Sequence, residues 1–419
     1  MPFTALNLSP ELARAVARMG YAAPTAIQAA AIPVVLQGGD VVGQAQTGSG
    51  KTAAFILPLL QRLQALPVES PRCVRVLILV PTRELAAQVG EVIRGFAQHL
   101  AKPPKTVVAF GGVSINPQMM RLRGGADIVV ATPGRLLDLL DHNALRLSTV
   151  SALVLDEADR LLDLGFADEL GRIVALLPAA RQNLFFSATF GPEVDALADT
   201  LLTHPTRIDL PLQADTAPAV VQRAIAVDAD RRTALLRHLV EENQWDQVLV
   251  FVASQHTAEK VADKLYKNGV FATAFHGSLS QGARTDVLAE LKAKRWEVVV
   301  ATDLAARGID IPQLPIVVNY DLPRSPVDYL HRIGRTARAG ESGMAISFIS
   351  ADTEAHFQLI EKRQHLQLPR EHIAGFEPLA TDLAAPGPSA PAVGTGNGGI
   401  KGKRPSKKDK LRAAAARSR

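Results

Sequence analysis

One segment of the chain has the residue types of a phosphate-binding loop. The sequence AQTGSGKT runs from Ala45 to Thr52, after an apolar run and before a helix-like pattern. Its glycines let the backbone turn N–H groups toward phosphate oxygens, and the N-terminus of the following helix favours an anion. Lys51 is expected to reach the β- and γ-phosphates, and Thr52 is expected to hold Mg²⁺. The other residues of this candidate nucleotide site are Gln46, Thr47, Gly48, Ser49 and Gly50.

Two adjacent carboxylates follow an apolar strand in the same half of the chain. In LVLDEADR, Asp156 and Glu157 come directly after Leu155. Carboxylates at a strand end beside a phosphate loop can bind Mg²⁺, as expected for Asp156, or orient the attacking water, as expected for Glu157. The alternative for Asp156 and Glu157 is a solvated acidic turn. The alternative for AQTGSGKT is a glycine–serine turn with a chance lysine, since Ala45 replaces the usual first glycine of the motif. The two motifs together favour a nucleotide-hydrolysing site.

Both motifs require strands that end at the same edge of a sheet. In each half of the chain, short β-branched runs alternate with helical patterns such as 83–99 and 134–140. The predicted strands are 41–45, 76–80, 107–110, 128–131, 153–155 and 184–186, then 248–252, 272–275, 298–301, 316–319 and 345–348. Such alternation is typical of parallel sheets covered by helices on both faces. The fold-class prediction is therefore α/β, with two sheet-containing domains.

The domain boundaries follow from changes in composition. We place the first domain at residues 1–207 and the second at 220–376. Residues 208–219 contain prolines and show no periodicity, which indicates a linker. Residues 377–419 are predicted to be a disordered Pro/Gly-rich linker and basic tail, because such a segment cannot bury enough apolar surface to offset its chain entropy.

Charge and composition limit the function classes. The 419 residues are 47% hydrophobic and 21% charged, as in ordinary globular proteins. Residues 401–419 carry a net charge of +8, whereas the rest of the chain carries −3. The single cysteine, Cys73, excludes an intrachain disulfide and favours a reducing cytoplasm. Because the chain starts without a signal-peptide pattern and has no apolar run near ~20 residues, we expect a cytoplasmic protein without membrane contact.

The string Asp156–Asp159 spells DEAD, and the chain resembles the DEAD-box family of ATP-dependent RNA helicases. Other motifs of that family follow in its order, over about 3–349: PTRELAAQ (81–88), a glycine pair (111–112), TPGR (132–135), SAT (187–189), ATDLAARGID (301–310) and HRIGRTAR (331–338). The resemblance implies two tandem RecA-like domains, ATP and Mg²⁺ as cofactors, and RNA-stimulated ATP hydrolysis. Interdomain closure would couple hydrolysis to local strand separation or ribonucleoprotein remodelling. Among bacterial members, the chain looks closest to the RhlE-type group.

The resemblance also assigns residues around the nucleotide. Phe3, Tyr21, Thr25 and Gln28 resemble the adenine-reading Q motif, in which Ala26 stands where many members have proline. The Gln28 amide can both donate to and accept from adenine, so ATP should be preferred to GTP. By resemblance, Asp310 contacts the ribose. The catalytic residues would be Lys51, Glu157, Arg335 and Arg338.

Arg335 and Arg338 resemble arginine fingers. Three positions apart, they would face one side of a helix and stabilise charge on the γ-phosphate. A basic surface face is the alternative. Ala337, between them, stands where many members have glycine.

The remaining motif residues are implied to face RNA or to couple hydrolysis to strand separation. The partner would be RNA, as single strands or short duplexes, bound without sequence preference through phosphates and 2′-hydroxyls. We expect a monomer, and ribonucleoprotein or RNA-decay partners stay open. The RNA-facing residues are Arg83, Gly112, Thr132, Arg135, Gln281, Arg284 and Thr302, and the coupling residues are Ser187, Thr189 and His331.

Two other functions compete with this interpretation. One is a DNA translocase or helicase of the same two-domain architecture, and the Q motif and the full DEAD spelling argue against it. The other is a non-catalytic RNA clamp, against which the intact Lys51, Glu157 and Arg338 argue. ATPase assays with and without RNA or DNA separate the three.

Overall fold

The computed structural model describes residues 2–45, 49–209, 220–306, 314–336 and 343–379. Residues up to Leu379 form one compact unit. Some predictions concern positions outside the described residues, namely linker residues 210–219, tail residues 380–419 and Ala337. The same holds for five site residues: Gln46, Thr47, Gly48, Asp310 and Arg338.

The first half of this unit contains a parallel β-sheet. Its strands, as far as the chain is described, are β1 (Val41–Gln44), β2 (Val76–Leu79), β3 (Thr106–Ala109), β4 (Ile128–Ala131), β5 (Ala152–Leu155), β6 (Gln182–Ser187) and β7 (Thr206–Asp209). They lie in the order β3-β4-β2-β5-β6-β1-β7. All neighbouring pairs are parallel. Strands β2, β4 and β5 are apolar throughout because both faces of the sheet are covered.

Helices cover the two faces of the first sheet. They are α1 (Pro10–Arg18), α2 (Ala26–Leu36), α3 (Lys51–Gln64), α4 (Arg83–Ala97), α5 (Asn116–Leu122), α6 (Pro133–Asp141), α7 (Ala158–Asp163), α8 (Ala167–Ala175) and α9 (Pro192–Leu201), preceded by a short 3-10 helix at Phe3–Leu6. One apolar core includes residues of α1 to α4, and the core on the opposite face includes residues of α6 to α9. These two cores, one on each face, hold the strands of the sheet in fixed positions.

The second half repeats this plan. Its strands are β8 (Val220–Ala226), β9 (Val248–Val252), β10 (Ala272–Phe275), β11 (Val298–Thr302), β12 (Ile316–Asn319), β13 (Gly343–Ile349) and β14 (Arg370–Glu371). They lie in the order β10-β11-β9-β12-β13-β8-β14 and are also parallel. The helices are α10 (Arg232–Glu242), α11 (Gln255–Lys267), α12 (Gln281–Lys292), α13 (Asp303–Ala306), α14 (Pro326–Ile333) and α15 (Glu354–Gln364).

The predicted α/β architecture with two helix-covered parallel sheets is confirmed. The structure adds three strands that the sequence did not predict: β7, β8 and β14. Ile208 and Asp209, which we assigned to the linker, pair with β1 as the end of β7. Only Ile208 of that edge strand is buried, so its polar residues hid the strand pattern. Within the described ranges, no helix is long and apolar enough to cross a membrane.

Parallel pairing brings the candidate site residues to one edge of each sheet. The chain leaves β1 toward Lys51, leaves β5 at Asp156 and leaves β6 at Ser187. In the second half, Thr302 ends β11 at the corresponding edge. Ligands of open parallel sheets bind at the carboxyl ends of the strands, so these edges hold the candidate site.

Candidate active site

The phosphate-loop lysine begins a helix at the carboxyl edge of the first sheet. Gly50 has φ 92° and is the N-cap of α3, a backbone conformation that glycine adopts without strain. A side chain at Gly50 would lie 2.4 Å from Gln28 Nε2, so the loop also passes too close to α2 for any other residue. Lys51 is buried, and its Nζ donates to the carbonyl of Ala45 at 2.7 Å. The lysine is thereby held within the loop.

Asp156 and Glu157 lie beside Lys51. Burial raises the pKa of Asp156 to about 6; the Lys51 ammonium opposes this rise and the Glu157 carboxylate adds to it. Asp156 Oδ1 accepts a hydrogen bond from the Glu157 N–H at 3.0 Å. Glu157 itself has φ 52°, a left-handed conformation that is strained for a residue with a side chain. Such strain is characteristic of functional sites, where the surrounding structure imposes it.

The donor set around Asp156 suits magnesium bound together with phosphates. In the described part of the chain, no group of three or more His, Cys, Asp or Glu side chains could hold a metal alone. Magnesium is usually bound by one or two carboxylates, water and substrate phosphates. A single buried carboxylate beside the phosphate-loop lysine fits that requirement, and Thr52 follows Lys51 in the first turn of α3.

The predicted adenine-reading residues lie together, although Gln28 is engaged with the protein. Phe3 and Tyr21 pack edge to face with their ring centroids 6.3 Å apart. Gln28 is fully buried; its Oε1 accepts from the Thr25 N–H at 2.9 Å, and its Nε2 donates to the Gly50 carbonyl at 3.1 Å. Gln28 therefore ties the start of α2 to the phosphate loop. Direct reading of adenine by this amide stays a prediction.

The DEAD and SAT motifs are joined by a hydrogen-bond network. Asp159 Oδ2 accepts from the Thr189 N–H at 3.0 Å and from the Thr189 hydroxyl at 2.8 Å. The Ser187 hydroxyl donates to the Thr189 carbonyl at 2.7 Å and accepts from the Asp159 N–H at 3.3 Å. A movement of α7 would therefore be transmitted to the SAT segment, as expected for coupling residues.

The second half contributes His331 and Arg335 to the same region. Arg335 is buried and His331 is partly buried, and the charge of Arg335 disfavours protonation of His331. Our premise that Arg335 and Arg338 share a helix face is wrong, because α14 ends at Ile333. The Thr336 hydroxyl donates to the carbonyl of Leu314 at 2.5 Å, which ties the chain after α14 to the segment before β12. Arg335 therefore lies in a turn after α14.

The pH dependence of stability provides a test of His331. The pKa of His331 is lowered to about 4, mainly by burial and also by the Arg160 and Arg335 charges, whereas Asp159 and Asp328 oppose this lowering. In unfolded protein the pKa is near 6.5. As the pH falls through 6.5 toward 4, the unfolded chain gains a proton that the folded chain does not. The urea midpoint should therefore fall between pH 7 and pH 5, and by less in His331→Asn. An identical fall in both proteins would contradict this assignment.

The four predicted RNA-facing residues of the first half lie where the chain leaves β2, β3 and β4. Gly112 has φ 73°, and a side chain there would overlap the Arg83 guanidinium. Arg135 donates to the Val113 carbonyl at 2.8 Å through Nη2, while its buried Nη1 has no hydrogen-bond partner among the described residues. Thr132 is the N-cap residue of α6 and makes no side-chain capping bond. Arg83 thus packs against Gly112, and Arg135 is hydrogen bonded to the next residue of the same turn.

Arg284, whose contact with RNA stays a prediction, is buried and lies between the two halves. It is buried against Phe275, and its Nε lies 2.9 Å from Glu84 Oε1 in the first half. The Nε–H does not point along this contact, so the pair is ionic rather than hydrogen bonded. Gln281 Nε2 lies 3.5 Å from the same oxygen. Glu84, which sequence reasoning passed over inside PTRELAAQ, therefore links the two halves.

Breaking this ion pair should weaken the closed arrangement. Glu84→Gln leaves the Arg284 charge buried without its partner, a situation that typically costs about 3–5 kcal/mol. We expect at least about a tenfold rise in the RNA concentration needed for half-maximal binding, measured by fluorescence anisotropy with an ATP analogue. In the double variant Glu84→Gln/Arg284→Met, the loss of RNA affinity should be smaller than the sum of the losses in the two single variants. Wild-type affinity in Glu84→Gln would show that the pair does not hold the halves together.

A cavity of about 1050 Å³ lies between the two halves. Thr189 and the start of α9 line it from the first half, and Thr302, Ser254 and Arg324 line it from the second. Thr302 therefore faces an open interdomain space, as its predicted RNA contact requires. Ser254 and Arg324 were not predicted, because isolated polar residues after a strand form no sequence pattern.

Family models match both halves of the chain. The model described as DEAD/DEAH box helicase matches residues 25–197, and the model described as helicase conserved C-terminal domain matches residues 230–340. The first match contains the DEAD and SAT motifs, and the second contains Gln281, Arg284 and Arg335. Each match corresponds to one of the two sheets.

Individual proteins are similar over most of the chain. DEAD-box ATP-dependent RNA helicase 28 of Oryza sativa subsp. japonica is 41% identical over 90% of this chain, which spans 47% of the rice protein. DEAD-box ATP-dependent RNA helicase CshA of Bacillus subtilis (strain 168) is 37% identical over 88% of this chain and 73% of its own length. The solved structure of S. cerevisiae Dbp5 bound to RNA and ADP BeF3 is similar with a TM-score of 0.79 and 30% identity, covering 88% of this chain and 95% of that one.

These likenesses confirm the two RecA-like domains, while the RhlE-type grouping stays a prediction. The arrangement of Lys51, the DEAD–SAT network and Arg335 agrees with the family matches. The chain belongs to the DEAD-box family of ATP-dependent RNA helicases.

Proposed function

We propose that this protein hydrolyses ATP in response to RNA and uses interdomain closure to separate short duplexes or remodel ribonucleoproteins. The observation that carries the proposal is the division of the site between the two domains. Lys51, Asp156 and Glu157 lie on the first domain, whereas Arg335 lies on the second and interacts electrostatically with His331 beside α7. Hydrolysis then requires the domains to meet, which makes it responsive to a ligand that bridges them.

The residues divide the chemical work. Lys51 binds the phosphates from the start of α3, and Glu157 orients the attacking water and accepts its proton. Arg335 stabilises the negative charge that develops on the γ-phosphate. Burial disfavours the charged form of Asp156, so a bound cation would stabilise its carboxylate. Magnesium, held by Asp156 and Thr52, would neutralise phosphate charge when bound.

RNA binding is proposed along the opposing domain edges. Arg83, Thr132 and Arg135 supply donors from the first domain, and Thr302 supplies a hydroxyl from the second. Such groups bind backbone phosphate and 2′-hydroxyl without reading bases. The Glu84–Arg284 pair keeps these two edges in register. Dbp5, one of the solved relatives, is itself described as bound to RNA and ADP BeF3.

Two further proposals follow from the sequence. The net charge of +8 over residues 401–419 supports a role for the tail in attracting RNA phosphates. The single cysteine supports a cytoplasmic location. We also propose that the protein acts as a monomer.

Phosphate release measured with single-stranded RNA, with DNA of the same sequence and without nucleic acid tests the function. We expect weak turnover alone, strong stimulation by RNA and little stimulation by DNA. Strand separation is followed with a short fluorescent duplex. Equal stimulation by DNA would indicate a DNA translocase, and RNA binding without any ATP hydrolysis would indicate a non-catalytic clamp.

A further inference from the structure

Arg160 is a buried cation that directly follows the DEAD motif. Its side chain belongs to α7, a helix of six residues, and the residue is 5% exposed. The Arg160 N–H donates to the carbonyl of Glu157 at 2.9 Å, and also to Asp159 Oδ1 at 3.0 Å. A displacement of Arg160 would therefore move the backbone that carries the proposed base.

The Arg160 guanidinium lies between carboxylates of both domains. Nη1 is 3.0 Å from Asp163 Oδ2 in the same helix and 4.0 Å from Asp328 Oδ1 in α14. Its buried Nη2 has no hydrogen-bond partner in the described part of the chain. A buried cation is unfavourable unless it is paired, so the Asp328 carboxylate of the opposite domain adds to the stabilisation that Asp163 provides within α7.

Asp328 connects this contact to the end of α14. Its backbone N–H donates to the Ser325 hydroxyl at 3.1 Å in the first turn of that helix. The same helix carries His331, on which Arg160 acts electrostatically, and it ends at Ile333, two residues before Arg335. Contacts therefore connect Glu157 through Arg160 to Asp328, and α14 connects Asp328 to the turn that carries Arg335.

We propose that Arg160 is a positioning residue that fixes Glu157 and Arg335 relative to each other when the domains close. Opening the domains would separate Arg160 from Asp328 but leave its contact with Asp163 within α7. The inter-domain contact would therefore form only in the closed state. The proposal rests on the proposed RNA-stimulated hydrolysis, in which Glu157 and Arg335 act on the same phosphate.

Kinetics of the full-length Arg160→Met protein test the proposal. We expect RNA-stimulated kcat to fall about 10- to 100-fold, because small misplacements of reacting groups have effects of that size. The KM for ATP should stay within about twofold, since the nucleotide is bound mainly by the first domain. Asp328→Asn should behave similarly, and Arg160→Lys, which keeps the charge, should lie between Arg160→Met and wild type. Arg172→Met, at an exposed arginine of α8, is the matched control.

A double-mutant cycle separates positioning from general destabilisation. The Arg160→Met/Asp328→Asn protein should be little worse than the poorer single variant, because both changes remove one contact. The proposal is overturned if the two single losses of kcat multiply in the double variant, or if kcat is unchanged in Arg160→Met. It is also overturned if the thermal midpoint of Arg160→Met is so low that unfolding accounts for its loss of kcat. If wild-type protein shows no RNA-stimulated turnover, the proposed function fails instead. Domain closure, measured by fluorescence energy transfer in wild type, the two single variants and the double variant, then decides whether the Arg160–Asp328 contact forms.

Discussion

Glu157→Gln is expected to lower the RNA-stimulated kcat about 100- to 10,000-fold, the range of general-base contributions. The amide has the size of the carboxylate but cannot accept a proton from the attacking water. Binding of ATP and RNA should persist, because Lys51 and the RNA-facing arginines are unchanged. The left-handed backbone at Glu157 and its place directly after buried Asp156 support this role.

Single-turnover phosphate release and ATP binding should be measured on the same preparation of Glu157→Gln. A matched control is Glu91→Gln, at an exposed glutamate of α4. Turnover in Glu157→Gln close to that of the control would remove Glu157 as the base. Loss of ATP binding together with turnover would instead indicate that Glu157 supports the phosphate loop.

Arg335→Ala is expected to lower kcat about 1,000- to 100,000-fold, the range for arginines that stabilise the transition state of phosphoryl transfer. The interaction is made mainly in the transition state, so the KM for ATP should change little. The structure supports this because Arg335 is buried after α14 and interacts electrostatically with His331, which itself lies near Asp159 of the DEAD motif.

Arg335→Lys tests the geometry of the same group. Lysine keeps the charge but lacks the planar fork of arginine, so most of the loss should remain. The exposed Arg295→Ala in the second domain is the control. A variant at Arg335 that raises only the KM for ATP would show that the residue binds the ground state. Such a result would show that Arg335 does not act as an arginine finger.

The sequence alone determined the fold class and the local motifs. Strands such as β9 and β12 were predicted with the bounds found in the structure, because strands buried on both faces are unbroken apolar runs. The phosphate loop and the DEAD motif were equally readable, because a few adjacent residues contain their chemistry. Edge strand β7 was missed, since three of its four residues are exposed and resemble a polar loop.

The partners of the site residues depend on the packing of segments that are far apart in the sequence. Arg284 was assigned to RNA, but it is buried against Glu84 of the other domain. Gln28 was assigned to adenine, but both ends of its amide are hydrogen bonded to the protein. In the sequence, each of these side chains shows its donors, acceptors and charge. The sequence does not show which partner lies within reach of each side chain, because that depends on how distant segments pack after two separate cores have formed.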